Sequence, residues 1–184
     1  MFEFIKQFMK HPMKIGAISP SSRYLAQRML DGIDVNACKY IVEYGPGTGV
    51  FTKEILKRKN ETAIFLIIEQ NIKFYNLLVK QYGKLKNVHI VNGTVENIDL
   101  YLKEYKIPFV DVIVSGIPFT SLPKEATNRI LDKTTRILNK EGKFITFQYS
   151  LVQKHIFKEY FQIIKCKFEI CNIPPAFVFV MKKR

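Results

Sequence analysis

Tyr40-Ile41-Val42-Glu43-Tyr44-Gly45-Pro46-Gly47-Thr48-Gly49-Val50-Phe51 decides how this chain is read. An apolar run ends in an acid, glycines follow at every second position, and Phe51, Ile55 and Leu56 then recur at helical spacing. The pattern predicts a strand, a tight loop and a helix start. Glycine lets the backbone approach a ligand closely because no Cβ intervenes, and the helix start offers unpaired N–H groups. A second apolar run, Ala63-Ile64-Phe65-Leu66-Ile67-Ile68, ends in another acid, Glu69. Open α/β sheets grip a ribose with a carboxylate at the end of the second strand.

The spacing separates the nucleotide readings. Val50 stands where the dinucleotide fingerprint needs its last glycine, and no Lys-Ser/Thr pair follows at phosphate-loop spacing. Acid-x-Gly-x-Gly-x-Gly resembles the first motif of class I methyltransferases that use S-adenosyl-L-methionine and release S-adenosyl-L-homocysteine. That ligand carries a ribose and an amino acid but no phosphate. The resemblance places Glu43 near the methionine ammonium and Gly45, Gly47 and Gly49 against the ligand. It places Glu69 and Gln70 at the ribose, and Gly93, Thr94, Val95 and Ser115 around the rest of the cofactor. The competing reading is a glycine-rich turn of an unrelated α/β domain.

Periodicity extends the pattern along the chain. After the helix of residues 51–59 come a strand to Glu69, a helix over 71–82, a strand over 88–91 and a helix near 95–105. A strand over 110–115 and a helix near 124–139 follow. Glu141-Gly142 is expected to turn into a strand over 143–149. The remainder reads as a helix near 151–161 and strands near 163–171 and 177–181, separated by Pro174-Pro175, which forbids regular pairing there. Alternating strands and helices give a parallel sheet, and the short last connector gives an antiparallel hairpin. The expectation is one α/β domain over residues 1–184, with a Rossmann-like, mostly parallel seven-stranded sheet and a C-terminal antiparallel hairpin.

The 184 residues carry a formal charge of +13, with lysines spread along the whole length. Such a charge attracts polyanions, either nucleic acid or an anionic membrane surface. No apolar run is long enough to span a bilayer, and the start lacks a secretory signal. Cys38, Cys166 and Cys171 show neither metal-ligand spacing nor a disulfide framework, so no metal is expected and a cytoplasmic setting fits. Cys38 and Cys171 read as filler. His11, His89 and His155 show no partner pattern, His89 reading as structural and His155 as exposed.

On a helical wheel, Met1, Phe2, Phe4, Ile5, Phe8, Met9 and Met13 share one half of residues 1–14, and Glu3, Lys6, Gln7, Lys10, His11 and Lys14 the other. Pro12 bends or ends this helix. An amphipathic N-terminal helix of this kind packs on its own domain or a second subunit, lies on an anionic bilayer, or serves as a nucleic-acid arm. Gly16-Ala17-Ile18-Ser19-Pro20-Ser21-Ser22-Arg23 follows, with Ser21 or Ser22 as the N-cap of a helix to about Leu30. In related methyltransferases this segment folds over the methionine end of the cofactor, where Ser21 and Ser22 meet its carboxylate.

Ser115-Gly116-Ile117-Pro118-Phe119 ends the fourth strand, where the ligand crevice opens. It is similar to the Asn-Leu/Ile-Pro-Tyr/Phe motif of ribosomal RNA adenine dimethyltransferases, with Gly116 at the Asn position and thus no side-chain acceptor for an adenine amine. The helical domain of those enzymes is not expected here either. Gly16 to Ser22, Glu43 to Thr52, Ser115 to Pro118 and the ending Asn172-Ile173-Pro174-Pro175-Ala176-Phe177-Val178 together resemble the bacterial phospholipid N-methyltransferases. That resemblance spans nearly the whole chain. It implies an enzyme at the membrane surface that methylates the amine of phosphatidylethanolamine, with anionic lipids as partners and peripheral membrane attachment. RNA is the alternative acceptor, followed by a small molecule and by a binding module that has lost catalysis. Where that family has Gly-Asp after the third strand, this chain has Gly93-Thr94, so Thr94, its N–H or Glu96 has to serve the adenine. An ammonium cannot attack a sulfonium until it loses a proton. The carbonyls of Ser115 and Gly116 are expected to orient the amine, with Tyr149 aligning it or relaying its proton and Phe119 and Phe177 as walls.

Overall fold

The computed structural model describes residues 21–184. The expected amphipathic segment of residues 1–14 and the stretch through Pro20 lie outside the described residues. The chain runs α1 (Arg23–Met29), β1 (Tyr40–Tyr44), α2 (Val50–Arg58), β2 (Ile64–Glu69), α3 (Ile72–Tyr82), β3 (Val88–Asn92) and α4 (Ile98–Glu104). It continues through β4 (Val110–Ser115), α5 (Lys124–Ile137), β5 (Leu138–Gln148), α6 (Lys154–Tyr160), β6 (Phe161–Glu169) and β7 (Ala176–Lys183). The seven strands form one sheet in the order β3-β2-β1-β4-β5-β7-β6. Strands β1 to β5 pair parallel, and β7 lies antiparallel between β5 and β6. The Rossmann-like sheet with a reversed hairpin is the one the sequence predicts.

Parallel strands covered on both faces must be apolar at successive positions. β1 is buried at every residue. Ile41, Phe65, Ile67, Val112 and Val114 point to one core with Leu25 and Met29 of α1, Phe51 and Ile55 of α2 and Leu78 of α3. Val42, Tyr44, Leu66, Ile68 and Ile113 point to the other, with Ile98 of α4, Ile130 and Leu131 of α5 and Phe157 of α6. α5 buries Thr127, Ile130, Leu131 and Thr134, a stripe at three- and four-residue spacing.

Several boundaries differ from expectation: β6 lies two residues earlier, at Phe161–Glu169, and α5 ends at Ile137. The turn at Glu141-Gly142 lies inside β5, which begins at Leu138 and shifts register against β4 between Val110 and Val112. Asp111 explains the early start: it accepts from Asn139 Nδ2 at 2.8 Å and from the N–H groups of Lys39 and Tyr40 at 2.9 and 3.0 Å. The last helix begins at Lys154, so Leu151 and Val152 sit in an exposed turn. Residues 95–105 divide into a 3-10 turn, Val95–Asn97, and α4. Cys38 is buried as expected, but Cys171 is exposed and therefore fills no core.

Candidate active site

Strand order reverses between β1 and β4, and it is at the carboxyl ends of strands at such a switch point that open α/β sheets bind ligands. The loop from β1 to α2 begins there. Gly45, Gly47 and Gly49 have φ of 59°, 57° and 83°, in the left-handed region where a side chain is strained. The alternation of glycines thus reflects backbone conformation as well as ligand approach. A Cβ on Gly47 would meet nothing within 4 Å, so the loop's middle faces open space.

Two carboxylates bracket this loop. Glu43, fully buried at the end of β1, accepts from Thr52 Oγ1 at 2.7 Å through Oε2. Its other oxygen, Oε1, is buried without a hydrogen-bond partner. Burial pushes the Glu43 carboxyl up to about 8, and the nearby Glu69 carboxylate pushes the same way. A buried orphan carboxyl oxygen lacks a donor, and the ammonium of an amino acid is such a donor. Glu69, at the end of β2, accepts from Gly47 N at 2.9 Å through Oε2 and from Asn71 N at 2.8 Å through Oε1. It thereby pins the loop, and each oxygen retains a second lone pair for a ribose hydroxyl. The orphan carboxyl beside an open glycine cradle fits the amino-acid and ribose ends of S-adenosyl-L-methionine.

The remaining expected cofactor residues are placed as follows. Gln70 is exposed, and its carbonyl accepts from Asn92 Nδ2 at 3.2 Å. Gly93 lies under Tyr101, whose hydroxyl would stand 2.1 Å from a Cβ there. Thr94 caps the following turn through its Oγ1, which accepts from Glu96 N at 3.3 Å. The Glu96 carboxylate accepts from Arg129 Nη2 at 3.0 Å through Oε1. No described group accepts from the N–H of Thr94 or Val95, so both remain available to a ligand. Ser22 caps α1, accepting from Leu25 N at 3.1 Å. Ser21 lines a cavity of about 400 Å³ with Val50, the first residue of α2, and Lys53.

At the acceptor end, Ser115 is buried, its Oγ accepts from Ile117 N at 3.2 Å, and its carbonyl accepts from Thr146 Oγ1 at 3.3 Å. The Ile117 carbonyl accepts from Gln148 Nε2 at 3.1 Å, and that of Pro118 from Ser121 N at 2.9 Å. The Gly116 carbonyl receives no hydrogen bond from the described residues, so of the two expected carbonyls it is the one left unspent. A Cβ on Gly116 would stand 2.5 Å from the Gly45 carbonyl oxygen, and the site therefore admits no side chain. Phe119 is fully buried against Phe144 and Phe157, in the core and not on the site wall. Phe177 lies against Phe168 at 4.8 Å. Tyr149 packs edge-on to Phe147 at 5.5 Å and bonds Asn172, while burial raises its phenol. His89 stacks on Tyr105 at 4.3 Å, and His155 is exposed.

Thr52 and Gln148 escaped the sequence reading. Thr52 stands one turn into α2, where a hydroxyl can reach back to the strand acid. Gln148 shares its face with Thr146 in the otherwise apolar run 144–148, and paired polar residues of one parity in such a strand are the readable signal.

Sheet order, glycine loop and paired strand-end acids define a class I methyltransferase dependent on S-adenosyl-L-methionine. The sequence profile of the family described as ribosomal RNA adenine dimethylase matches residues 21–162, and the chain belongs to that family. It is also 30% identical over 177 residues to an ornithine lipid N-methyltransferase of Singulisphaera acidiphila, covering 95% of this chain and 92% of that protein. A ribosomal RNA small subunit methyltransferase A of Borreliella burgdorferi is 30% identical over 102 residues, 54% of this chain, and the match spans only 33% of that enzyme. Among solved structures, the N-methyltransferase NodS of Bradyrhizobium japonicum WM9 in complex with S-adenosyl-L-homocysteine superposes with a TM-score of 0.70. It is 9% identical, with 99% of this chain and 97% of that one covered, which is a likeness of fold. Among the described residues no group of His, Cys, Asp or Glu could hold a metal ion, and no helix is long and apolar enough to cross a membrane.

Proposed function

We propose that this methyltransferase transfers a methyl group to the head-group amine of a membrane lipid, of the phosphatidylethanolamine or ornithine-lipid type. The observation that carries the reading is Gly116. Where the RNA adenine enzymes resembled above place an Asn acceptor, a Cβ in this chain would collide with the Gly45 carbonyl at 2.5 Å. The acceptor pocket is therefore built on backbone, with the Gly116 carbonyl as the free acceptor. Gln148 steadies the next peptide through the Ile117 carbonyl. Supporting the same reading, the lipid enzyme is matched over nearly its full length.

The cofactor supplies the activated methyl group, and the protein supplies alignment and a dry site. Glu43 would hold the methionine ammonium, Glu69 the ribose, and the N–H groups of Thr94 and Val95 the adenine. The lipid amine arrives as an ammonium. Desolvation in the crevice would favour its neutral form, the proton passing to bulk water, and the Gly116 carbonyl would accept one remaining N–H and so orient the lone pair for attack. The formal charge of +13 suits an anionic membrane from which such an acceptor is drawn. The family match favours an RNA adenine amine as second reading. Incubation with methyl-labelled cofactor and, in separate arms, phosphatidylethanolamine vesicles, ornithine-lipid vesicles and ribosomal RNA decides. Label in a lipid amine is expected, and label confined to RNA refutes the proposal.

A further inference from the structure

The loop of residues 170–175 inverts the usual polarity of a surface loop. Its polar residues face inward. Glu169, 5% exposed, accepts from Arg28 Nε at 3.0 Å and from Cys171 N at 2.8 Å. Asn172, 2% exposed, accepts from Ser22 N at 2.8 Å and donates to the Pro174 carbonyl at 2.7 Å. The isoleucine that follows each of them faces outward, Ile170 at 72% and Ile173 at 81% exposure. Anchored from within, the loop presents two large apolar side chains to the exterior, where a merely solvated loop would present polar ones.

A second apolar pair lies at the same edge of the sheet. Gln148 pairs with Phe177 and Glu169 with Ala176, so the chain leaves β5, leaves β6 and enters β7 on one side. The turn after β5 carries Leu151 and Val152, the latter 60% exposed. Ser115 pairs with Thr146, which puts Gly116-Ile117-Pro118 on this edge too. The apolar rim and the acceptor crevice therefore share one side of the molecule. Lysines lie near this edge: Lys154 opens α6 two residues after Val152, and Lys165 and Lys167 stand in the half of β6 that ends at Glu169, Lys167 being paired with Asp31.

We infer that this carboxyl edge, through Ile170, Ile173, Leu151 and Val152, is the face that seats on an anionic bilayer. The inference rests on the lipid reading above and adds which surface meets the membrane. Exposed apolar side chains with lysines nearby, on a chain of formal charge +13, suit the boundary between acyl chains and anionic head groups. A second copy of this strongly cationic chain would be repelled from the same face, and a phosphate backbone has no use for outward isoleucines. Seated this way, the crevice opens toward the membrane and a lipid amine enters without leaving the bilayer.

The chain contains no tryptophan, so a single introduced indole reports its own surroundings. I173W and V152W are made in the full chain, with F109W as control. Phe109 immediately precedes β4, at the opposite edge of the sheet, and is 39% exposed. Vesicles contain phosphatidylglycerol, with or without acyl-brominated lipid. Emission of I173W and V152W should move to shorter wavelength and be quenched several-fold more than that of F109W. Equal quenching at both edges, or no response at the rim, overturns the inference, as does a rim response to RNA alone. The double variant I170S/I173S should then lose about tenfold of turnover on vesicle lipid and none on a short-chain dispersed lipid of the same head group. Unchanged vesicle turnover, or equal loss on both substrates, refutes it. If no lipid amine is methylated, the lipid reading fails by itself, and tryptophan emission still decides whether this edge docks.

Discussion

Replacing Glu43 by glutamine separates the two demands on that position. The carboxyl is fully buried, and its proton is held up to about 8 instead of the ordinary 4.5. Its folded-state value lies above the unfolded one, so its contribution to stability is fully present below 4.5 and is lost as pH rises through about 8. The slope in that window is about 1.4 kcal/mol per pH unit. Between pH 6 and 8 the loss is at most roughly 3 kcal/mol, or about 6–12 °C in Tm for a chain of this size. Glutamine keeps the shape and can still accept from Thr52, and it has no proton to lose in this range. Thermal melts of E43Q and wild type should therefore diverge as pH rises from 6 to 8, with the variant the more stable. Calorimetric titration with S-adenosyl-L-homocysteine should show the opposite ranking, because the ammonium loses its carboxylate: about 10- to 100-fold weaker binding. Wild-type binding should release a proton below pH 8, since the carboxyl must ionise to meet the ammonium. A pH-independent gap in Tm together with unchanged affinity would refute this account of Glu43.

Other substitutions test the rest of the site. Glu69→Ala removes a carboxylate that pins both Gly47 N and Asn71 N, and binding should weaken about 10- to 100-fold by the same titration. Gly116→Asn, which copies the RNA adenine motif, puts a Cβ 2.5 Å from the Gly45 carbonyl. Urea unfolding should show a loss of about 1–3 kcal/mol from the overpacking, and cofactor affinity should fall as the glycine loop is displaced. Asn172→Ala removes the tie between Ser22 and the 170–175 loop. Amide hydrogen exchange should rise in both segments while that of β1 and β4 stays unchanged.

Much of the site could be read from local pattern because its main residues lie where strands end. Glu43 and Glu69 terminate apolar runs, and Gly45, Gly47 and Gly49 follow immediately, so one stretch of chain carries backbone conformation and chemistry together. Phe119 misled because an aromatic after a strand has the same local signature whether it walls a crevice or enters the core. Only its contacts with Phe144 and Phe157 tell the two apart. The contact of Glu96 with Arg129, distant in sequence, is likewise visible only in the fold. Gln148 and Thr52 were overlooked because their meaning comes from their partners: a carbonyl on the neighbouring strand's loop for Gln148, and the strand-end carboxylate behind the helix start for Thr52.

The sequence by itself determined the alternation of strands and helices, the reversed hairpin and the two strand-end acids beside a glycine loop, and the resemblance of that loop to a known motif implied the cofactor class. The elements and the loop follow from side-chain periodicity and backbone permissiveness, which act over a few neighbouring residues. Only the tertiary structure decided which carbonyl of the acceptor segment remains free, why Gly116 tolerates no side chain, and that apolar loops share an edge with the crevice. Each of these depends on strands far apart in the chain being brought side by side, and hydrogen bonding and steric exclusion act on that proximity, not on order along the chain.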